Sequence, residues 1–259
     1  MKHLITPLLG LFLSLVSSHA ATSFYVLKDS YDAGLGNPQV YRFDGVSNLR
    51  SGVQTSITTR GIGQDYSSDI AIDEQGRFYL LGGIPTGTGL KQLWRWNTVA
   101  DWAANTNGSL LGVRTTTFQS SGFSVYQNEF YFLEGNPDGS GTKTLKKFGN
   151  VADWSAGAAG ITLGSRGTGT GLGFEIDAGG AVWYLDGSNQ TSTSGTLYRW
   201  NSISDFLNNT NQSDSGGTFT FSFSGSSDQV AGLAVPEPSS SLLLLTSLAT
   251  LSLFRRRSS

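Results

Sequence analysis

FYLLGGIPTGTGLKQLWRWNTVADW, residues 78–102, decides how this chain folds, because the chain contains it four times in altered form. The opening block recurs as Phe24-Tyr25-Val26-Leu27, Phe78-Tyr79-Leu80-Leu81, Phe130-Tyr131-Phe132-Leu133 and Val182-Trp183-Tyr184-Leu185, a spacing of 52 to 54 residues. A second block follows each time: Val40-Tyr41-Arg42-Phe43-Asp44, Leu93-Trp94-Arg95-Trp96-Asn97, Leu145-Lys146-Lys147-Phe148-Gly149 and Leu197-Tyr198-Arg199-Trp200-Asn201. A third completes the set: Val46-Ser47-Asn48-Leu49, Val99-Ala100-Asp101-Trp102, Val151-Ala152-Asp153-Trp154 and Ile203-Ser204-Asp205-Phe206. Three blocks that keep order and spacing through four copies define one structural unit used four times.

Aromatic and β-branched residues dominate the first two blocks, and clusters of Gly, Asn, Asp and Ser separate them, as expected of short strands. A further strand precedes three of the copies: Ile70-Ala71-Ile72, Phe123-Ser124-Val125 and Phe174-Glu175-Ile176. Tight turns such as Asp73-Glu74-Gln75-Gly76 and Asp177-Ala178-Gly179-Gly180 join it to the next strand as a hairpin. The Asp101-Trp102 type of segment reads as one helical turn. A threonine-rich strand closes each unit, at 54–59, 113–118 and 218–223, with a weaker version at 161–163. The Phe-Tyr-Leu-Leu strand is apolar on both alternating faces, so both must be covered. A propeller blade meets that need by packing between two neighbours, whereas a solenoid would require capping units. The first copy lacks its leading strand, and the missing piece stands at the far end as Val230 to Val235. The expectation is an all-β, four-bladed β-propeller of about 53 residues per blade, spanning 21–235. The C-terminal strand Val230–Val235 would pair with Phe24–Leu27 to close the ring.

Composition agrees with a turn-dense β protein. The 259 residues include 34 glycines, nearly twice the usual ~7%, and only 14% charged residues against the usual ~25%. The two ends differ from the body, and each is expected to carry a helical segment. Lys2, the apolar run Leu4 to Val16, and Ser18-His19-Ala20 read as a signal peptide over residues 1–20. A buried helix is the competing reading of that run. His3 and His19 are the only histidines, and cysteine is absent. A chain cleaved after Ala20 would therefore carry no histidine triad, no cysteine nucleophile, no His/Cys zinc site and no disulfide. No cofactor is expected. At the other end, Pro236-Glu237-Pro238 precedes an apolar segment, read as a helix over 239–254, and Arg255-Arg256-Arg257 follows it. Sixteen helical residues span about 24 Å, marginal for a ~30 Å hydrocarbon core, but the arginines suit a cytoplasmic stop.

This tail, residues 236–259, resembles the PEP-CTERM sorting signal of exported bacterial proteins. The likeness rests on Pro236, Glu237 and Pro238, the hydrophobic segment, and Arg255, Arg256 and Arg257. It covers only about the last 25 residues and implies nothing about the fold of the body. It implies that the tail is recognised by an exosortase, a membrane cysteine transpeptidase. It further implies transient anchoring in the inner membrane and delivery to the cell surface or an exopolysaccharide matrix. A plain C-terminal membrane anchor is the competing reading of the same residues.

Loss of Lys2 and the three terminal arginines takes the formal charge from −2 to −6, which disfavours nucleic acid as a partner. Within the body, Glu175 is the candidate that breaks the repeat: the matching positions hold Ala71, Ser124 and Ala234. Tyr31, Tyr66 and Tyr126 also break it and are candidate ligand contacts. The tryptophans sit at periodic positions and read as packing rather than sugar stacking. Asp29 to Asp32, Asn136 to Gly139 and Asp186 to Asn189 lack calcium-loop spacing and read as turns, so no metal site is assigned. Gly167 to Gly173 reads as an inter-blade linker. The preferred function is a non-enzymatic binding or structural protein of the surface or biofilm matrix. The alternative is an extracellular glycan hydrolase or lyase using Glu175 and a neighbouring acid, the candidate carboxylates being Asp73, Glu74, Glu129, Glu134, Glu175 and Asp177.

Overall fold

The computed structural model describes residues 23–30, 38–60, 67–83, 89–116, 120–135, 141–167, 170–187, 194–220 and 228–235. They form sixteen strands in four antiparallel sheets of four, arranged as a four-bladed β-propeller. The second blade is built from β4 (Ser67–Ile72), β5 (Phe78–Gly82), β6 (Gly89–Trp96) and β7 (Ser109–Thr116) in consecutive order. The third uses β8 (Ser120–Tyr126), β9 (Glu129–Glu134), β10 (Thr142–Phe148) and β11 (Ile161–Gly167). The fourth uses β12 (Thr170–Ile176), β13 (Val182–Gly187), β14 (Ser194–Trp200) and β15 (Gln212–Thr220). The first is assembled from both chain ends, as β16 (Asp228–Ala234), β1 (Ser23–Ser30), β2 (Gln39–Asp44) and β3 (Ser56–Thr59). In it, Tyr25 lies opposite Ala234, Val26 opposite Leu233 and Leu27 opposite Gly232.

Strand alternation distributes the apolar side chains between blades. In β5, Phe78 and Leu80 join Leu27, Val40 and Ala234 of the first blade, while Tyr79 and Leu81 join Phe123, Phe132 and Phe148 of the third. Every residue of β5 is buried. A strand wedged between two apolar layers needs this continuous hydrophobic character. Two equivalent cores lie between the third and fourth blades and between the fourth and first.

A short helix links the third and fourth strands of each blade: α1 (Val46–Ser51), α2 (Val99–Ala103), α3 (Val151–Ser155) and α4 (Ile203–Asn208). Each buries one residue, Leu49, Trp102, Trp154 or Phe206. Thr98, Asn150 and Ser202 accept the backbone N–H of Asp101, Asp153 and Asp205 at 3.0, 2.8 and 3.0 Å, and the aspartates accept a hydrogen bond from the same three side chains. This reciprocal cap starts the three later helices. The first helix begins at Gly45 with no side-chain cap.

The segment expected as an inter-blade linker is largely sheet, because β11 runs through Gly167 and β12 starts at Thr170. The threonine-poor fourth strand of the third blade is as regular as its counterparts, at seven residues. No helix among the described residues is long and apolar enough to cross a membrane. The segment 1–20 expected as a signal peptide, Tyr31, Tyr66, Pro236, Glu237, Pro238, the segment 239–254 expected as a helix and Arg255–Arg257 lie outside the described residues.

Candidate functional site

The innermost strands β4, β8, β12 and β16 surround the propeller axis, and each pairs on one side only. Such a strand turns half its N–H groups toward the axis, where they need acceptors. Side chains projecting from the same strands provide them. In every blade the register slips by one residue as the inner strand reaches Asp69, Gly122, Gly173 or Gly232, which pair with Leu81, Leu133, Leu185 and Leu27. Asp69 alone carries a side chain in this column, and it is fully buried. Its Oδ1 accepts the N–H of Ile70 at 2.8 Å and of Leu233 at 3.0 Å. Its Oδ2 accepts the N–H of Phe123 at 2.8 Å and of Phe174 at 3.2 Å. One carboxylate thus binds an N–H from each of the four blades. Burial pushes the Asp69 carboxyl well above the ordinary value, and the four N–H donors act in the opposite sense.

The glycines of this column are required by close approach. A Cβ at Gly122 would lie 2.3 Å from Phe174 Cβ, and one at Gly173 2.6 Å from Leu233 Cβ. At Gly232 it would meet Asp69 Oδ1 at 2.6 Å. At this level the axis has room for one side chain, and the second blade supplies it.

Two residues further along lies the column Ala71, Ser124, Glu175 and Ala234. Ser124 Oγ accepts the N–H of Ile176 at 3.0 Å and donates to Glu175 Oε1 at 3.2 Å. Glu175 therefore stands near the axis but at 1% exposure, beneath the surface rather than on it. Tyr126 is half-buried at the end of β8, with its hydroxyl accepting from Gln127 Nε2 at 3.0 Å and its ring against Tyr131. Glu175 and Tyr126 are not brought together by any hydrogen bond or ring contact described for them.

Of the other acidic candidates, Asp73, Asp177, Glu129 and Glu134 are built into the scaffold, and Glu74 is exposed on the turn after Asp73. Asp73 Oδ1 accepts the N–H of Gln75 and Arg77 at 3.0 and 2.9 Å, while Oδ2 accepts Arg77 Nε and the Tyr79 hydroxyl at 2.5 and 2.9 Å. Asp177 repeats the device, with Oδ1 accepting Gly179 and Ala181 N–H and Oδ2 accepting Trp183 Nε1 at 2.8 Å. Glu129 binds Lys147 at 3.0 Å and the Tyr131 hydroxyl at 3.0 Å, and Glu134 binds Lys146 at 2.6 Å. Burial and these carboxylates push the Tyr79 and Tyr131 hydroxyls up. Among the described residues, no group of three or more His, Cys, Asp or Glu could hold a metal ion.

The structure also reveals buried cations that the repeat reading passes over. Lys91 and Lys143 occupy matching places at the starts of β6 and β10, at 2% and 0% exposure. Lys91 Nζ donates to Gly83 O at 3.4 Å, and burial pushes its ammonium down to about 8. Asp186 is raised by burial, and Lys143 and Arg166 pull it back. A third column, Arg60, Arg114 and Arg166, lays its guanidinium over Trp96, Phe148 and Trp200 of the following blade at 5.1, 5.3 and 4.6 Å. Arg166 also donates to Phe206 O at 2.6 Å and Asn209 Oδ1 at 2.9 Å, and Arg60 donates to Asn105 Oδ1. These arginines bolt blade to blade. The 52-to-54-residue recurrence of arginine in the outer strand is the sequence signal that would have found them.

The chain matches no protein-family model and no curated protein sequence.

Proposed function

We propose that the chain is an exported bacterial protein of the cell surface or extracellular matrix, a non-enzymatic propeller that binds or scaffolds rather than turns over a substrate. In this reading the leader directs export, and the tail holds the protein in the inner membrane until an exosortase-like transpeptidase recognises Pro236-Glu237-Pro238. The released body then associates with exopolysaccharide. The order of the tail, with Arg255-Arg256-Arg257 immediately after the apolar segment, supports the sorting step.

The single observation that carries the non-enzymatic reading is the use made of the carboxylates. Asp73, Asp177, Glu129 and Glu134 are each bound to turn N–H groups, a lysine or a ring hydroxyl of their own blade. Glu175 is buried against Ser124. A glycosidase needs two carboxyl groups facing one open cleft, about 5–9.5 Å apart. Groups committed to the scaffold do not supply that pair.

We further infer that the β1–β16 ladder is the closure that makes the ring one cooperative unit, with helical segments at both ends of the precursor lying outside it. The register from Tyr25 to Ser30 against Ala234 to Asp228 supports this. Mass spectrometry of the secreted form tests the sorting step: a C-terminus near residue 238 is expected, and an intact Arg255-Arg256-Arg257 end would remove it. A glycan-array screen of the secreted protein, with and without calcium, tests the binding role. Saturable binding without product formation is expected, whereas release of sugar fragments would establish the hydrolase or lyase.

A further inference from the structure

We propose that the axis of this propeller is an anion-binding site for a small monovalent anion, and that the chain fills it with its own Asp69 carboxylate. The site is made by backbone alone. Ile70, Phe123, Phe174 and Leu233 occupy the same position in four different blades, and all four N–H groups converge on one carboxylate at 2.8 to 3.2 Å. Converging N–H groups from successive elements form an anion nest whatever side chains surround them. Each oxygen of Asp69 takes two N–H donors and faces no acceptor, an arrangement that favours the charged form against the burial that raises the carboxyl. The three matching glycines leave no space for a second side chain, so the residue is a single anion held by a four-fold host. Leu233 belongs to the last strand and Ile70 to the second blade, so the same anion joins the end of the chain to the sheet it must sit beside.

This inference does not depend on the exported, glycan-associated role. It predicts that the anion can be supplied from solution once the side chain is gone. Asp69→Gly gives all four blades the same residue and leaves the N–H groups facing a vacated space. Its thermal midpoint is expected to fall by roughly 10 °C. Sodium formate or sodium chloride should restore much of that loss, following a one-site saturation curve. Sodium 4-morpholineethanesulfonate, whose anion is too large for the axis, should not restore it at equal ionic strength. The wild-type protein should rank the three salts alike. The same ranking in variant and wild type would overturn the proposal. Should Asp69→Gly fail to fold in every salt, Asp69→Asn carries the test, because it keeps the shape and sets an NH2 group against two of the donors. A midpoint drop of the same order supports the anion site, and a midpoint within about 2 °C of wild type overturns it.

Discussion

Asp73 and Asp177 stand at the same turn in two blades, and the same four-residue geometry consumes both. Each accepts two backbone N–H groups with one oxygen and an aromatic donor with the other, Tyr79 in one blade and Trp183 in the next but one. Replacing Asp177 by Ala leaves the Trp183 N–H and two turn amides without that acceptor. The expected cost is about 1–3 kcal/mol in chemical denaturation, with no change in the slope against denaturant. Lys91 makes a second prediction, in pH. Its folded-state value is lowered to about 8 from an ordinary 10.5, so between those values the unfolded chain binds more protons than the folded one. Stability should therefore rise as pH increases from about 8 toward 10, by at most about 3 kcal/mol, and Lys91→Met should lack that rise when the two proteins are melted side by side. At this scale the sequence was only partly legible. Glu175 attracts attention because its column otherwise holds Ala71, Ser124 and Ala234. Asp69 lies one strand alternation upstream, in a column otherwise held by Gly122, Gly173 and Gly232, of which Gly173 reads as linker. What hides it is that a glycine required by close approach and a glycine required by a turn look the same in one sequence.

The helices and arginine columns hold neighbouring blades against one another. Thr98, Asn150 and Ser202 cap three helices identically, and Ser202→Ala should cost about 1 kcal/mol by the same denaturation measurement. Trp154 fills the core between the second and third blades, stacked on Phe132 with centroids 5.2 Å apart. Trp154→Ala should cost about 3–5 kcal/mol, far more than the cap, because it opens a cavity between two rigid sheets. Strands and helical turns were readable here because each is written several times, and agreement between copies cancels local ambiguity. The fourth strand of the third blade was harder to see. Ile161 to Gly167 lacks the threonine run of its counterparts, and its strand character comes from pairing with β10 rather than from composition. Gly171 and Gly173 mislead for the same reason, since they belong to β12.

At the scale of the molecule, four near-equal units leave two open questions for any single sequence: how many sheets meet, and where the ring joins. The first was legible from the repeat length and the doubly apolar second strands. The proposed join rests on the displaced strand at Val230–Val235, which pairs with β1, and the hydrogen bond from Leu233 to Asp69 was not legible. Function is less legible than fold, because a residue that breaks the repeat, as Glu175 does, has no second copy against which to be read. The buried position of Glu175 predicts that Glu175→Gln leaves glycan binding unchanged, whereas complete loss of glycan turnover in that variant would favour the hydrolase or lyase. The account as a whole rests on the two ends of the body being neighbours in one sheet. Solution NMR on the protein measures this directly. Cross-strand contacts between the backbone protons of Val26 and Leu233, with slow amide exchange at Leu233 where it donates to Asp69, are the predicted result. Absence of those contacts, with Leu233 exchanging at the rate of a free chain, would contradict it.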